Sequence, residues 1–172
     1  MNYQVIDNFL SDEEFNRFNV MFTLEFPWYY SDVVVYGSNT ELGVHDFQLI
    51  HSFYRDYGFN SGYASLVAPL LQKLDPYAIL KIKAKLISGT DKKLTHGYHV
   101  DIQNYSQDTK TAVYYINTNN GTTVLKQGND AVEIESVANR IVIFDTSILH
   151  SGSTCTDKKV RCVINLNFIK KS

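Results

Sequence analysis

The chain has 172 residues, 16 basic against 18 acidic side chains, 44% hydrophobic content and two cysteines. That length suits one domain with a buried core, and a formal charge of -2 argues against a general nucleic-acid binder, which carries a basic excess. Aromatics at 13% exclude a disordered tail, and two cysteines are too few to staple a secreted mini-domain, so free thiols in a reducing compartment are expected. No stretch approaches the roughly 18 consecutive apolar residues of a membrane span. The opening residues lack the basic and apolar regions of a signal peptide. A cytoplasmic location without a membrane partner is the expectation.

Taken in chain order, Tyr3 to Ile6 reads as a short strand, and Ser11 with Glu14 has the spacing of a capping box. Phe15, Phe18 and Phe22 recur at helical spacing, which predicts a helix at about 12–25, ended by Pro27. Asp32 to Tyr36, with three valines, reads as a strand. A second helix is predicted at about 61–74, where Leu66, Leu70, Leu71 and Leu74 form a stripe before Asp75-Pro76.

From Ile79 the period changes to that of a strand, with Leu80, Ile82, Ala84 and Leu86 alternating with Lys81, Lys83 and Lys85. The lysines read first as a solvated face. Val113 to Asn117 is a further strand, and Asn120-Gly121 predicts a hairpin turn returning through Thr122 to Lys126. Asp130 to Glu135, Arg140 to Phe144 and Val160 to Phe168 complete the set. Two helical elements followed by about eight short strands predict a mainly β chain: an antiparallel jelly-roll or barrel with N-terminal helices packed outside it. One domain over 1–172 is expected, helical over 1–78 and β over 79–172.

Three segments carry chemistry. On an extended strand His99 and Asp101 project to one face and can reach one metal ion, and an imidazole with a carboxylate suits ferrous iron. His150, just past the apolar strand Ile141 to Phe144, would supply a third ligand at a barrel rim. Arg161 opens a strand face that continues Val163, Asn165 and Asn167, and an arginine facing the interior requires an anion. A carboxylate cosubstrate would provide it by bidentate pairing. His96 reads as a loop histidine, because on a strand it faces away from His99; His45 and His51 read as structural or surface residues.

The order His99-x-Asp101, His150, Arg161 resembles the iron(II)- and 2-oxoglutarate-dependent oxygenases, whose core is a double-stranded β-helix. Val113-Tyr114-Tyr115-Ile116-Asn117 with Asn120-Gly121-Thr122-Thr123, and Asn139-Arg140-Ile141-Val142-Ile143-Phe144, resemble the prolyl-4-hydroxylase-like branch. The opening Ile6 to Glu14 is similar to that of small members, many of them encoded by tailed bacteriophages. Thr122 and Asn139 stand where the branch usually has glycine, and Lys85 near its usual cosubstrate-touching Asn or Tyr.

The resemblance implies iron ligation by His99, Asp101 and His150, with Arg161 on the distal carboxylate of 2-oxoglutarate and Tyr115 bonded to the same group. It further implies O2 as co-reactant, ascorbate as a candidate accessory reductant, and hydroxylation of a C–H bond in a prolyl residue or small molecule. Two other classes stay open: a non-catalytic jelly-roll binding protein, and a cupin-like metal enzyme that does not use 2-oxoglutarate.

Overall fold

The computed structural model describes residues 1–35, 43–103 and 107–171. Strand β1 (Tyr3–Ile6) leads to helix α1 (Asp12–Asn16), where the expected capping box forms: Ser11 Oγ accepts from the Glu14 amide and Glu14 Oε2 accepts from the Ser11 amide. The helix is shorter than predicted. It tightens at once into a 3-10 segment, Arg17–Phe22, that buries Phe18 and Met21. Two side chains take carbonyls there: Thr23 Oγ1 donates to the Val20 carbonyl and Trp28 Nε1 to the Met21 carbonyl. Those donors end the helical ladder.

Strand β2 spans Tyr29–Ser31, and the strand expected from Asp32 is not formed. Gln48 Nε2 donates to the Val33 and Val34 carbonyls and Ser31 Oγ to that of Val33, so side chains replace a strand partner. Tyr36, the expected end of that strand, lies outside the described residues. Strands β3 (Gln48–Arg55) and β4 (Gly58–Phe59) follow, neither of which the sequence pattern marks. The second helix also starts late. A 3-10 turn at Ala64–Leu66 precedes α2 (Ala68–Leu74), because Pro69 lacks the amide that an earlier helix would need. Asp75 closes α2 in the left-handed region, at φ 42°.

The remaining strands are β5 (Ala78–Ser88), β6 (Thr109–Tyr115), β7 (Asn119–Gln127), β8 (Asp130–Ser136), β9 (Ile141–Asp145), β10 (Leu149–Gly152) and β11 (Val160–Ile169). A large antiparallel sheet runs β1-β9-β6-β11-β5-β3-β2, with β4 on β3, and a small one runs β10-β7-β8. Isolated bridges Thr95↔Ser153 and His99↔His150 lay the segment before His99 along β10. This is the mainly β jelly-roll that the pattern predicts.

The hairpin at Asn120-Gly121 is not there. β6 pairs within the large sheet and β7 within the small one, so the link between them crosses from sheet to sheet. The tight turn lies instead between β7 and β8, at Gly128, with φ 61°. Asn120 has another use: it bonds the Thr156 and Asp157 side chains and the Thr156 amide, fastening the loop before β11.

Strand alternation divides the apolar residues into two cores. Cys162, Ile164, Leu166 and Phe168 of β11, with Ile82 and Ala84 of β5, pack outward against Phe18, Met21, Val67 and Leu70 of the helical layer. Val163, Val113, Tyr115, Val142 and Phe144 face inward onto Leu125 and Ile134 of the small sheet. The inward face of β5 and β11 carries polar groups where the inner core stops, and the site lies there. Among the described residues no helix is long and apolar enough to cross a membrane.

Candidate metal centre

His99 and His150 exchange two main-chain hydrogen bonds, each 3.0 Å, and so hold their rings with centroids 4.4 Å apart. Asp101 closes the group. Its Oδ1 lies 3.7 Å from His99 Nε2 and its Oδ2 3.4 Å from His150 Nε2. One ligand atom from each of the three residues lies within 4.8 Å of the others. The segment bearing His99 and Asp101 is not a regular strand; the bridge to β10 supplies the extended geometry that aims both side chains together.

The nitrogens are set for ligation. His99 Nδ1 lies 3.0 Å from the Gly97 carbonyl, which can only accept, so the proton sits on Nδ1 and the Nε2 lone pair faces Asp101. Both ring nitrogens of His150 are buried without a hydrogen-bond partner. Burial, then the His150 charge, pushes the His99 pKa down to about 4. Burial alone would raise the Asp101 pKa, but His150, Lys85 and His99 hold its carboxyl well below the usual range. A neutral His99 imidazole beside the Asp101 carboxylate is the protonation state that a divalent metal needs. Asn165 and Asn167 donate to Asp101 Oδ2 at 2.8 and 3.3 Å, fixing the carboxylate from β11.

Arg161 is 2% exposed, on the inward face of β11. Its Nε donates to Ser136 Oγ and its Nη2 to Thr123 Oγ1, each at 2.9 Å, and its guanidinium lies 5.8 Å from the Tyr115 ring. The Tyr115 hydroxyl donates to the same Thr123 oxygen at 2.9 Å. Among the described residues no carboxylate pairs with Arg161, so its charge faces a small cavity shared with Lys85, His96, His99, Thr123 and His150. Two glycines keep that space open. A Cβ at Gly121 would lie 2.6 Å from Arg161 Cδ, and one at Gly152 3.4 Å from Arg161 Nη1.

The structure thus brings together His99, Asp101 and His150 and sets Arg161, with the Tyr115 ring beside it, on the cavity that His99 and His150 line. Two expectations need correction. Lys83 and Lys85 do not form a solvated face: β5 turns them toward the sheet interior, half-buried, opposite Asn165 and Val163. His96 does not face away from His99, because the chain there is irregular; it is 4% exposed and lines the same cavity. His51 is structural, buried between the Pro27 carbonyl and Ser61 Oγ, and His45 is exposed. Cys155 is buried with its thiol pKa raised by burial. The carboxylate holders Asn165 and Asn167 were visible in the alternation of β11, on the Arg161 face. Thr123 and Ser136 lie on strands far from it in sequence and left no such signal.

The departures from glycine have local causes. Asn139 adopts φ 61°, which asparagine tolerates, and its side chain bonds the Leu10 amide, the Leu10 carbonyl and the Tyr114 hydroxyl. Thr122 is buried, with its amide donating to Ser153 Oγ.

By sequence the chain matches no family model and no curated protein. By structure it superposes on a 2OG-Fe(II) oxygenase-family oxidoreductase from Burkholderia pseudomallei with a TM-score of 0.73 at 11% identity, over 99% of this chain and 86% of that one. The fold is that of the 2OG-Fe(II) oxygenases. A prolyl hydroxylase from Trichoplax adhaerens, in complex with a hypoxia-inducible-factor peptide fragment, gives a TM-score of 0.62 at 18% identity, covering 97% of this chain and 83% of that chain. The epimerase SnoN of nogalamycin biosynthesis, in complex with Fe3+ and alpha-ketoglutarate, gives 0.61 at 12% identity, over 98% and 78%.

Proposed function

We propose that this chain is an Fe(II)- and 2-oxoglutarate-dependent dioxygenase. The observation that carries the reading is one cavity lined by His99 and His150 of a three-residue N,N,O ligand set and by an arginine that pairs with no carboxylate among the described residues. The donor set fits the metal: two imidazoles and a carboxylate leave open positions on a six-coordinate ion. The buried, unpartnered nitrogens of His150 fit it too, since a metal satisfies the one that faces Asp101.

In this reading His99, Asp101 and His150 hold the iron, and Arg161 takes the distal carboxylate of the cosubstrate, with Tyr115 as its hydroxyl partner. Iron with 2-oxoglutarate and O2 supplies oxidative decarboxylation to succinate coupled to oxidation of a substrate C–H bond. The chain contributes position and exclusion. Asn165 and Asn167 fix the orientation of Asp101, Thr123 and Ser136 that of Arg161, and Phe144, 5.2 Å from the His150 ring, shields the metal side from water.

Hydroxylation is the default outcome, of a prolyl residue or a small molecule in the cytoplasm. Support for proline comes from the resemblance of the Tyr115 and Arg140 strands and from the prolyl hydroxylase among the structural neighbours. A non-catalytic descendant would have lost a ligand or Arg161, and a cupin-like enzyme without a 2-oxo acid would have no use for that arginine.

Native mass spectrometry tests the reading. The chain is expected to take up one Fe(II), and one 2-oxoglutarate only after iron. Asp101→Ala should abolish both additions. Failure of the wild-type chain to bind a divalent metal overturns the proposal.

A further inference from the structure

Two lysines stand beside the metal ligands without a partner. Along the inward row of β5, Lys85 lies opposite Val163 of β11, Lys83 opposite Asn165 and Lys81 opposite Asn167. Lys85 lines the Arg161 cavity. Lys83 and Lys81 lie outside it, level with the two asparagines that hold Asp101 and about 5 Å, one strand spacing, from their backbones. Both side chains are half-buried, and among the described residues neither ammonium makes a hydrogen bond or ion pair.

That arrangement is costly. Burial and the charges of Lys85 and Lys81 all oppose a charge on Lys83. The carboxylate that acts the other way is Asp101, and its oxygens are engaged with the histidine pair and the two asparagines. Asp46 accepts from the Val34 amide at 3.2 Å and acts on His96, which shares the cavity with Arg161. Bound cofactors would bring no counterion either: a divalent metal takes up the Asp101 charge, and Arg161 takes one carboxylate of the cosubstrate. Half-buried like charges without a counterion cost stability, so their retention points to an anion that arrives from outside. The way in is open. Ser52, opposite Lys83 on β3, also lines a groove of about 450 Å³ with Tyr29, Ile50 and Asn60.

Resting on the oxygenase reading, we propose that Lys83 and Lys81 bind an anionic group of the substrate, a carboxylate or a phosphate, and so hold its reacting C–H bond at the metal. Two residues apart on one strand face, their backbones are about 7 Å apart, a span that two long side chains close around one anion. The substrate class is then a small acid rather than an internal prolyl residue, whose ring carries no charge. Lys83 and Lys81 determine specificity, while the Arg161 cavity keeps the cosubstrate.

The test loads the protein with Co(II) and 2-oxoglutarate and titrates it with inorganic phosphate and, separately, with acetate. Paramagnetic broadening of the phosphorus and carbon resonances reads each anion's affinity and its nearness to the metal. Saturable binding of one equivalent is expected. Lys83→Met and Lys81→Met should each weaken it about tenfold, Lys83→Arg should keep it, and the two methionine replacements together should abolish it. Tighter binding of phosphate assigns a phosphate ester, and tighter binding of acetate a carboxylic acid. The 2-oxoglutarate affinity, read by calorimetry, should be unchanged throughout, and cobalt stoichiometry shows that each variant keeps the metal centre. No saturable anion binding in the wild type overturns the proposal. Binding unchanged in the double variant, with the anion on the metal itself, does the same. So does an equal loss of 2-oxoglutarate affinity, which would make these lysines cosubstrate residues. If the wild type takes up cobalt but no 2-oxoglutarate, the oxygenase reading itself falls, and this assignment with it.

Discussion

Among the described residues Asp101 Oδ2 meets the Asn165 and Asn167 amides at 2.8 and 3.3 Å, and His150 Nε2 at 3.4 Å. Of these the asparagines do not touch the metal position, yet they decide where the carboxylate points. Asn165→Leu should therefore lower metal affinity by about 10–100-fold while leaving the fold intact, as competition with a metal-sensitive dye would read. Asn167 is tied in turn to Thr111 Oγ1 at 3.0 Å, so the support of one ligand reaches across two strands of the large sheet. The opposite end depends on what is missing. Gly121 has no side chain where Arg161 Cδ passes, and a methyl there would stand 2.6 Å from it, a distance at which something must move. Gly121→Ala should leave Fe(II) binding unchanged and weaken 2-oxoglutarate binding about tenfold or more. Loss of metal binding in that variant would show that the damage is to the fold and not to Arg161.

At the scale of elements, β5 carries the largest local conflict. Its inward row places Lys83 beside Lys85 and Lys81, and burial first, then those two charges, lowers the Lys83 pKa to about 7 against the Asp101 charge that raises it. A lysine whose folded pKa lies below its unfolded 10.5 binds fewer protons folded than unfolded between those values, so folding stability rises as pH climbs from about 7 to 10.5. Lys83→Met should stabilise the metal-free chain at pH 7, by ~1 kcal/mol or roughly 2–4 °C in Tm, and the gain should shrink toward pH 10. The strand itself was legible from its alternation. Which of its faces is solvated was not, because a jelly-roll strand has a helix-covered side and a site-lining side, and lysines on the second read like surface lysines. Asn120-Gly121 misled for a related reason: the dipeptide tolerates a turn, but the Asn119 and Asn120 side chains bind the Gly121 amide and the 156–157 loop, and the strand runs on. The turn before β9 is different. Asn139→Gly would keep the left-handed backbone and lose three hydrogen bonds to Leu10 and Tyr114, for a cost of about 2 kcal/mol in urea unfolding. Asn139→Ala should cost more, since it adds the left-handed strain.

The molecule as a whole is two cores on the two faces of one sheet, with the site at the polar end of the inner one. The N-terminal segment belongs to this plan: Asn139 holds Leu10, the Lys73 ammonium donates to the Phe9 carbonyl, and Arg140 pairs with Asp7 through Nε at 2.6 Å and Nη2 at 3.0 Å. Those contacts lock the helical layer over the outer core. Much of this was readable because His99-x-Asp101, His150 and Arg161 occur in one order on recognisable strands. The place of His96 on that cavity was not, since its segment is no regular strand and only two isolated bridges hold it extended. The central claim is that one cavity joins a metal triad to a carboxylate-binding arginine. The direct measurement is anaerobic: Fe(II) is added to the chain, then 2-oxoglutarate, and the visible metal-to-ligand charge-transfer band of the chelate is followed. The account predicts a band in the wild type, none in His150→Ala, and one needing far more 2-oxoglutarate in Arg161→Ala. Bound iron with no band in the wild type would contradict it.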